Sequence, residues 1–182
     1  MLKNNIKYTT ALTDNELRQI IELQKNNLPT AISKKEKEKE GFVTVQHDFD
    51  ILKKMNDLEP HIIAKAGNNI VGYTLSMIKE FKNDIEVLKP MFKKIDNQLG
   101  PAISYIVMGQ VCVDKNYRKQ GIFRGLYYKM RDELKDKYQL LITEVAADNL
   151  RSLQAHYAVG FKDLLIYEAD GVTWHLIQWD WR

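Results

Sequence analysis

The spacing of apolar positions changes several times along the chain, and each change marks an element. Ile6 to Leu12 reads as a first strand. "TDNE" at 13–16 follows as a capping box, with Thr13 as N-cap and Glu16 at N3, and Leu17, Ile20, Ile21 and Leu28 then recur at helical spacing. From His61 the stretch "HIIAKAGNNIVGYTLSMI" gives two strand-like runs joined at Gly67, Asn68 and Asn69, with Val71, Tyr73, Leu75 and Met77 alternating onto one face, the pattern of a hairpin. The segment 83–101 has helical spacing around an internal Pro90, which predicts a broken or kinked helix ending near Gly100. "SYIVMGQVCV" predicts an apolar strand over 104–113. Ile122, Leu126, Met130 and Leu134 lay one stripe along a helix from about 118 to 136. "QLLITEV" at 139–145 is a buried type of strand, "NLRSLQAHYAVGF" a short helix closed by Gly160, and the end of the chain a hairpin turning at Asp170 and Gly171. The order of elements describes a mixed α/β protein.

Bulk properties narrow the function classes. With 182 residues and 45% apolar content the chain suffices for one domain with a proper core, so a single domain over 1–182 is expected. A net charge of +3 is too small for a dedicated nucleic-acid binder, and "SKKEKEKEG" at 33–41, with its alternating signs, reads as the solvated end of a helix. One cysteine, Cys112, excludes an intramolecular disulfide, and no apolar run approaches the roughly 20 residues of a membrane helix. The start "MLKNNIKYTT" has neither a signal core nor an Arg-rich transit pattern, and a soluble protein of a reducing cytoplasm is expected. His and Cys show no metal-ligand spacing, so no metal is implied.

The most informative stretch is "VDKNYRKQGIFRGLYYKMRDEL", residues 113–134. A strand ending at Val113 delivers the chain to a helix N-terminus, where unpaired N–H groups and the macrodipole attract an anion. Gly121 lets the backbone approach a ligand, and Arg118, Lys119 and Arg124 add positive charge, so phosphate is the natural guest. Neither a P-loop nor a GxGxxG is present. The stretch resembles the acyl-CoA signature of the Gcn5-related N-acetyltransferase superfamily, Arg/Gln-x-x-Gly-x-Gly/Ala. Arg118 and Gly121 match it, and Phe123 stands where the family usually has Gly or Ala. "EVAADNLRSLQAHYAVGF" at 144–161 is similar to the family's later motif, an Asn on a helix ending in Gly-Phe.

The resemblance implies a central mixed, mostly antiparallel sheet flanked by helices and splayed at the acyl-CoA site. It implies that the main chain of Val111, Cys112 and Val113 holds the pantetheine arm, and that the pyrophosphate sits on Arg118, Lys119, Gln120, Gly121, Ile122, Phe123 and Arg124, with Asn149 and Ser152 facing it. Cys112 itself lacks a neighbouring base and reads as a small buried strand residue. Amide formation asks for a base and an acid. The family commonly takes the acid from a Tyr seven residues after the helix-start Asn, a position held here by His156 with Tyr157 beside it. Leu150, Leu153 and Tyr157 form an apolar stripe and Asn149, Ser152 and His156 a polar one, which predicts Tyr157 in the core and His156 toward the cofactor. Glu144 occupies the place where some relatives that acetylate protein N-termini carry a base. Trp174, Leu176, Gln178 and Asp180 alternate with His175, Ile177, Trp179 and Trp181, a pattern of core against surface. The expectation is an acyl-CoA N-acyltransferase that moves acetyl from acetyl-CoA to a primary amine of a small molecule or peptide in a ternary complex. It binds no nucleic acid and no membrane, and a homodimer is open to it. The rival is a non-catalytic CoA-binding or regulatory domain on the same fold.

Overall fold

A computed structural model describes residues 5–28, 43, 46–83 and 88–182. The charged run 33–41 lies outside these residues, as do four residues of the 83–101 segment. In chain order the elements are β1 (Ile6–Thr10), α1 (Asp14–Lys25), α2 (Phe49–Leu58), β2 (Ile62–Ala66), β3 (Asn69–Met77), a 3₁₀ turn (Lys79–Asn83), α3 (Lys89–Gln98), β4 (Tyr105–Val113), a 3₁₀ turn (Lys115–Tyr117), α4 (Ile122–Leu134), β5 (Leu140–Ala146), α5 (Leu150–Val159), β6 (Lys162–Ala169) and β7 (Val172–Asp180). The seven strands form one sheet in the order β1-β2-β3-β4-β5-β7-β6, antiparallel except where β4 meets β5. This is the mixed, mostly antiparallel sheet that the family resemblance implied.

The sheet is covered on both faces. On one, Leu17, Ile20, Leu52, Phe92 and Ile95 of α1, α2 and α3 pack with Tyr73, Leu75, Val107, Ile142 and Leu176. On the other, Ile122, Leu126, Met130 and Leu134 of α4 and Leu153 of α5 pack with Ile106, Leu141, Val145 and Ile177. A side-chain period of two therefore separates the two cores rather than core from surface. The closing strand shows this directly: Leu176 and Ile177, neighbours in sequence, are both fully buried on opposite faces, which corrects the expected alternation of core and surface there.

Local chemistry explains the element boundaries. The capping box at α1 is formed, with Glu16 N–H on Thr13 Oγ1 and Glu16 Oε2 accepting the Thr13 N–H. Pro90 starts α3 instead of kinking it, standing in the first turn where a missing N–H is harmless. Helix α2 has no counterpart in the sequence reading; Asp48 caps it and Leu52 and Met55 bury one face. Helix α4 begins at Ile122, later than expected, because Gly121 is its N-cap with φ of 82°, a left-handed conformation that glycine adopts freely. At Gly125 the helix crosses β1 so closely that a Cβ would lie 2.2 Å from the Tyr8 ring.

Candidate active site

The site forms where β4 and β5 part. Their parallel ladder consists of Tyr105–Leu140, Ile106–Leu141 and Val107–Ile142 and then stops, while β4 stays paired with β3 out to Val113. Among the described residues no strand pairs with the β5 side of β4 beyond Val107, and Thr143 Oγ1 bonds Met108 C=O at 2.9 Å at the fork. Backbone groups without ladder partners invite an extended ligand carrying amides.

A cleft of about 410 Å³ lies against this free edge and the start of α4. Its lining includes Val111, Cys112, Val113, Arg118, Lys119, Gly121, Ile122, Phe123, Arg124 and Ser152, ten of the residues that the sequence put forward for the cofactor. Gln120 is outside it, with its amide on Asn116 C=O. Arg118 is fastened to the protein, Nε to Val113 C=O at 3.2 Å and Nη2 to Asn27 Oδ1 at 2.7 Å, so the loop before α4 is tied to the end of α1. The Val113 carbonyl is thereby engaged. At Gly121 a Cβ would meet nothing within 4 Å, so conformation rather than crowding selects glycine there. Arg151 and Tyr117 also line the cleft, and the sequence reading missed both. An Arg two residues after the helix-start Asn was a usable signal for the first. Burial pushes the Cys112 thiol up to about 12, which fits a packing role.

Phe123 turns along the wall of the cleft. Its ring centroid is 5.0 Å from those of Tyr127 and His156, and Phe161 and Trp179 extend the cluster. His156 is a full member of it. It is 1% exposed, Nδ1 donates to Ser152 C=O at 2.7 Å, and Nε2 accepts the Tyr127 hydroxyl at 2.6 Å. Burial pushes its pKa down to about 4, so the ring is neutral and both nitrogens are occupied. Tyr157, expected in the core, is 37% exposed and directs its hydroxyl to Asp163 at 2.9 Å, beside His175. Of the expected apolar stripe of α5 only Leu153 is buried, while Leu150 and Tyr157 are exposed and His156 of the polar stripe is buried. A neutral imidazole with both nitrogens bonded packs like any aromatic ring, and the tyrosine keeps its hydroxyl in water.

A smaller recess of about 90 Å³ adjoins the cleft, sharing Val43, Val111 and Ser152 with it, and is also lined by Gln110, Glu144, Asn149, His156 and Trp174. Asn149 caps α5 through the Ser152 N–H. Gln110 is fixed by the Gln24 amide at 2.8 Å and the Tyr73 hydroxyl at 2.5 Å, and Gln24 also reaches His47 Nδ1. Glu144 accepts the Tyr167 hydroxyl, and burial raises its pKa to about 7, opposed by the positive charge of Lys94. The recess therefore holds a carboxyl group poised to exchange a proton near neutral pH beside the open strand edge.

Among curated proteins, none matches the chain in sequence. Residues 17–161 match the acetyltransferase (GNAT) family, and the chain belongs to it. It is an acetyltransferase by that membership. Solved structures share its fold at low identity. The ribosomal-protein-S18-alanine N-acetyltransferase from Escherichia coli is 13% identical with a TM-score of 0.64, over 96% of this chain and 93% of that one. The protein yncA from Salmonella typhimurium, solved with its cofactor acetyl-CoA, is 15% identical with a TM-score of 0.67, over 98% and 95%. An N-acetyltransferase from Staphylococcus aureus Mu50 is 17% identical with a TM-score of 0.64, over 98% and 99%. Among the described residues no His, Cys, Asp and Glu side chains cluster as metal ligands, and no helix is long and apolar enough to cross a membrane.

Proposed function

We propose that the chain is a single acyl-CoA N-acyltransferase domain that moves acetyl from acetyl-CoA to a primary amine of a small molecule or peptide by direct attack. The observation that carries this reading is the junction of the two cavities, where the end of the β4–β5 ladder leads to the Glu144 carboxyl group. The residues suit the cosubstrate: β4 beyond its ladder with β5 for amides, and the Gly121 turn, the helix start, Lys119, Arg124 and Arg151 for phosphates. Acetyl-CoA supplies the activated acyl carbon. The main chain of Val111 and Cys112 orients the pantetheine arm and Glu144 takes the proton of the attacking ammonium or amine, directly or through water. The new N–C bond forms as the C–S bond breaks. A thiol of ordinary acidity, with a pKa around 8.5, leaves as thiolate and collects its proton from solvent, so no dedicated acid is required.

In this account His156 serves by holding Tyr127 and the cleft wall, since its Nδ1–H and Nε2 are both engaged. Tyr157 lines neither cavity. The peptide-directed acceptor class is supported by the E. coli structural relative, which acetylates a ribosomal protein alanine. The test is a screen of amines, amino acids and N-terminal peptides read by free CoA thiol. Transfer to at least one class is expected, and binding of acetyl-CoA without transfer to any would favour the regulatory reading.

A further inference from the structure

Glu144 is the fifth residue of β5 and faces the layer of α1, α2 and α3, as Leu140 and Ile142 do. Removal from water favours its protonated form, in which it has no lone proton site to offer an amine. Two groups on separate elements oppose this. Tyr167 of β6, which pairs with Trp174 of β7, gives its hydroxyl to Glu144 Oε1. Lys94 of α3 lies over the Tyr167 ring, its Nζ 4.0 Å from the centroid, and its charge reaches Glu144. Lys94 is aimed by its own helix: Met91, Phe92 and Ile95 are buried against the sheet, and Asp96 accepts the Tyr105 hydroxyl of β4 at 3.1 Å, which fixes the rotation of α3.

We infer that Tyr167 and Lys94 form a device that holds Glu144 as a usable base, Tyr167 as a positioning residue for the carboxylate and Lys94 as a fixed charge acting through the space above its ring. This rests on the reading of Glu144 as the base. A hydroxyl donor to one carboxylate oxygen fixes the plane of the group and leaves Oε2 for the substrate amine. The other groups facing Glu144 among the described residues are Gln110 of β4, Asn149 before α5, Trp174 of β7 and the neutral His156 of α5, so Lys94 is the one charge in its surroundings. The stack on Tyr167 also explains why a lysine is tolerated beside an apolar layer: the ring face offers the cation a partner.

The test is direct titration of Glu144 by 13C NMR of the labelled full chain, its carboxyl resonance assigned by disappearance in Glu144→Gln. Tyr167→Phe keeps the ring and removes only the donor, and its midpoint should rise by about one pH unit. Lys94→Met should raise it by less, with the difference shrinking in high salt, and Lys94→Arg should restore the wild-type value. A merely structural role for either residue would alter melting temperature and leave the midpoint in place. Unmoved midpoints in both Tyr167→Phe and Lys94→Met overturn the proposal. The base reading fails separately, if Glu144→Gln keeps wild-type transfer from acetyl-CoA to the peptide or amine that wild type accepts.

Discussion

In the proposed reading the cofactor half of the site is built largely from main chain: β4 beyond its ladder with β5, the left-handed turn at Gly121 and the first N–H groups of α4. The half proposed for the acceptor is made of side chains delivered by separate elements, Gln110 by β4, Glu144 by β5, Tyr167 by β6 and Lys94 by α3. Main-chain recognition tolerates variation in side chains, which is why Phe123 can stand at a position where small residues are usual and turn its ring into the wall. Side-chain recognition depends on each residue and on whatever aims it. In the proposed function the first half would define what is donated and the second what receives it.

The comparison breaks most visibly at Gly121. A β-branched residue at φ of 82° is strained whatever space surrounds it. Gly121→Val should abolish the thermal shift that acetyl-CoA gives wild type, a stabilisation of about 2.7 kcal/mol at a hundred times Kd. An undiminished shift would move recognition to the side chains. His156→Ala should lower stability by about 2–4 kcal/mol, because it leaves the Tyr127 hydroxyl unpaired and opens a void among aromatic rings. Turnover per folded molecule should fall less than tenfold. A hundredfold loss at intact stability would return an acid role to His156.

Buried histidines and the buried Glu144 respond to pH with opposite sign. Burial holds His156 at about 4 and His61 at about 3, so each is neutral in the folded protein and titrates near 6.5 when unfolded. The stability they contribute is complete above about 6.5 and is lost as pH falls toward 4. Glu144 is raised to about 7 from about 4.5, so its contribution is complete below 4.5 and is lost as pH rises through 7. Denaturant melts from pH 4 to 9 should show an acid loss that His156→Gln reduces and an alkaline loss that Glu144→Gln removes, the second worth up to about 3 kcal/mol. The smallest effect belongs to Tyr157→Phe. Its hydroxyl serves Asp163 outside both cavities, and turnover should stay within about threefold of wild type.

How much was legible in the sequence follows the same division. The turn, the helix start and the strand before them are contiguous from 104 to 134, so local spacing exposed the strand, the Gly121 turn and the basic helix start, while the family resemblance supplied the splayed edge and the part of Val111, Cys112 and Val113. Glu144 was legible only through its distance from Asn149 in a family motif. Lys94, Gln110 and Tyr167 carry no local signal, since only the strand order and the seat of α3 bring them to one place. Helix α2 escaped notice because its buried face rests on few apolar positions, Leu52 and Met55, and its stability comes from the sheet beneath. The stripes of α5 misled for a related reason. Polarity alone does not show that His156 would find the Ser152 carbonyl and the Tyr127 hydroxyl, or that Leu150 would lie 63% exposed.

The central claim is that the Glu144 carboxylate, at the fork between β4 and β5, takes the proton from the acceptor amine. Its most direct measurement is the pH dependence of kcat/KM for acetyl transfer in wild type and Glu144→Gln, with acetyl-CoA affinity measured alongside. Wild type should gain activity as pH rises through about 7, the value to which burial brings this carboxyl. Glu144→Gln should lose on the order of a hundredfold or more at pH 8 while binding acetyl-CoA within about twofold of wild type. A Glu144→Gln enzyme that keeps both the wild-type rate and the wild-type rise near pH 7 would contradict the account.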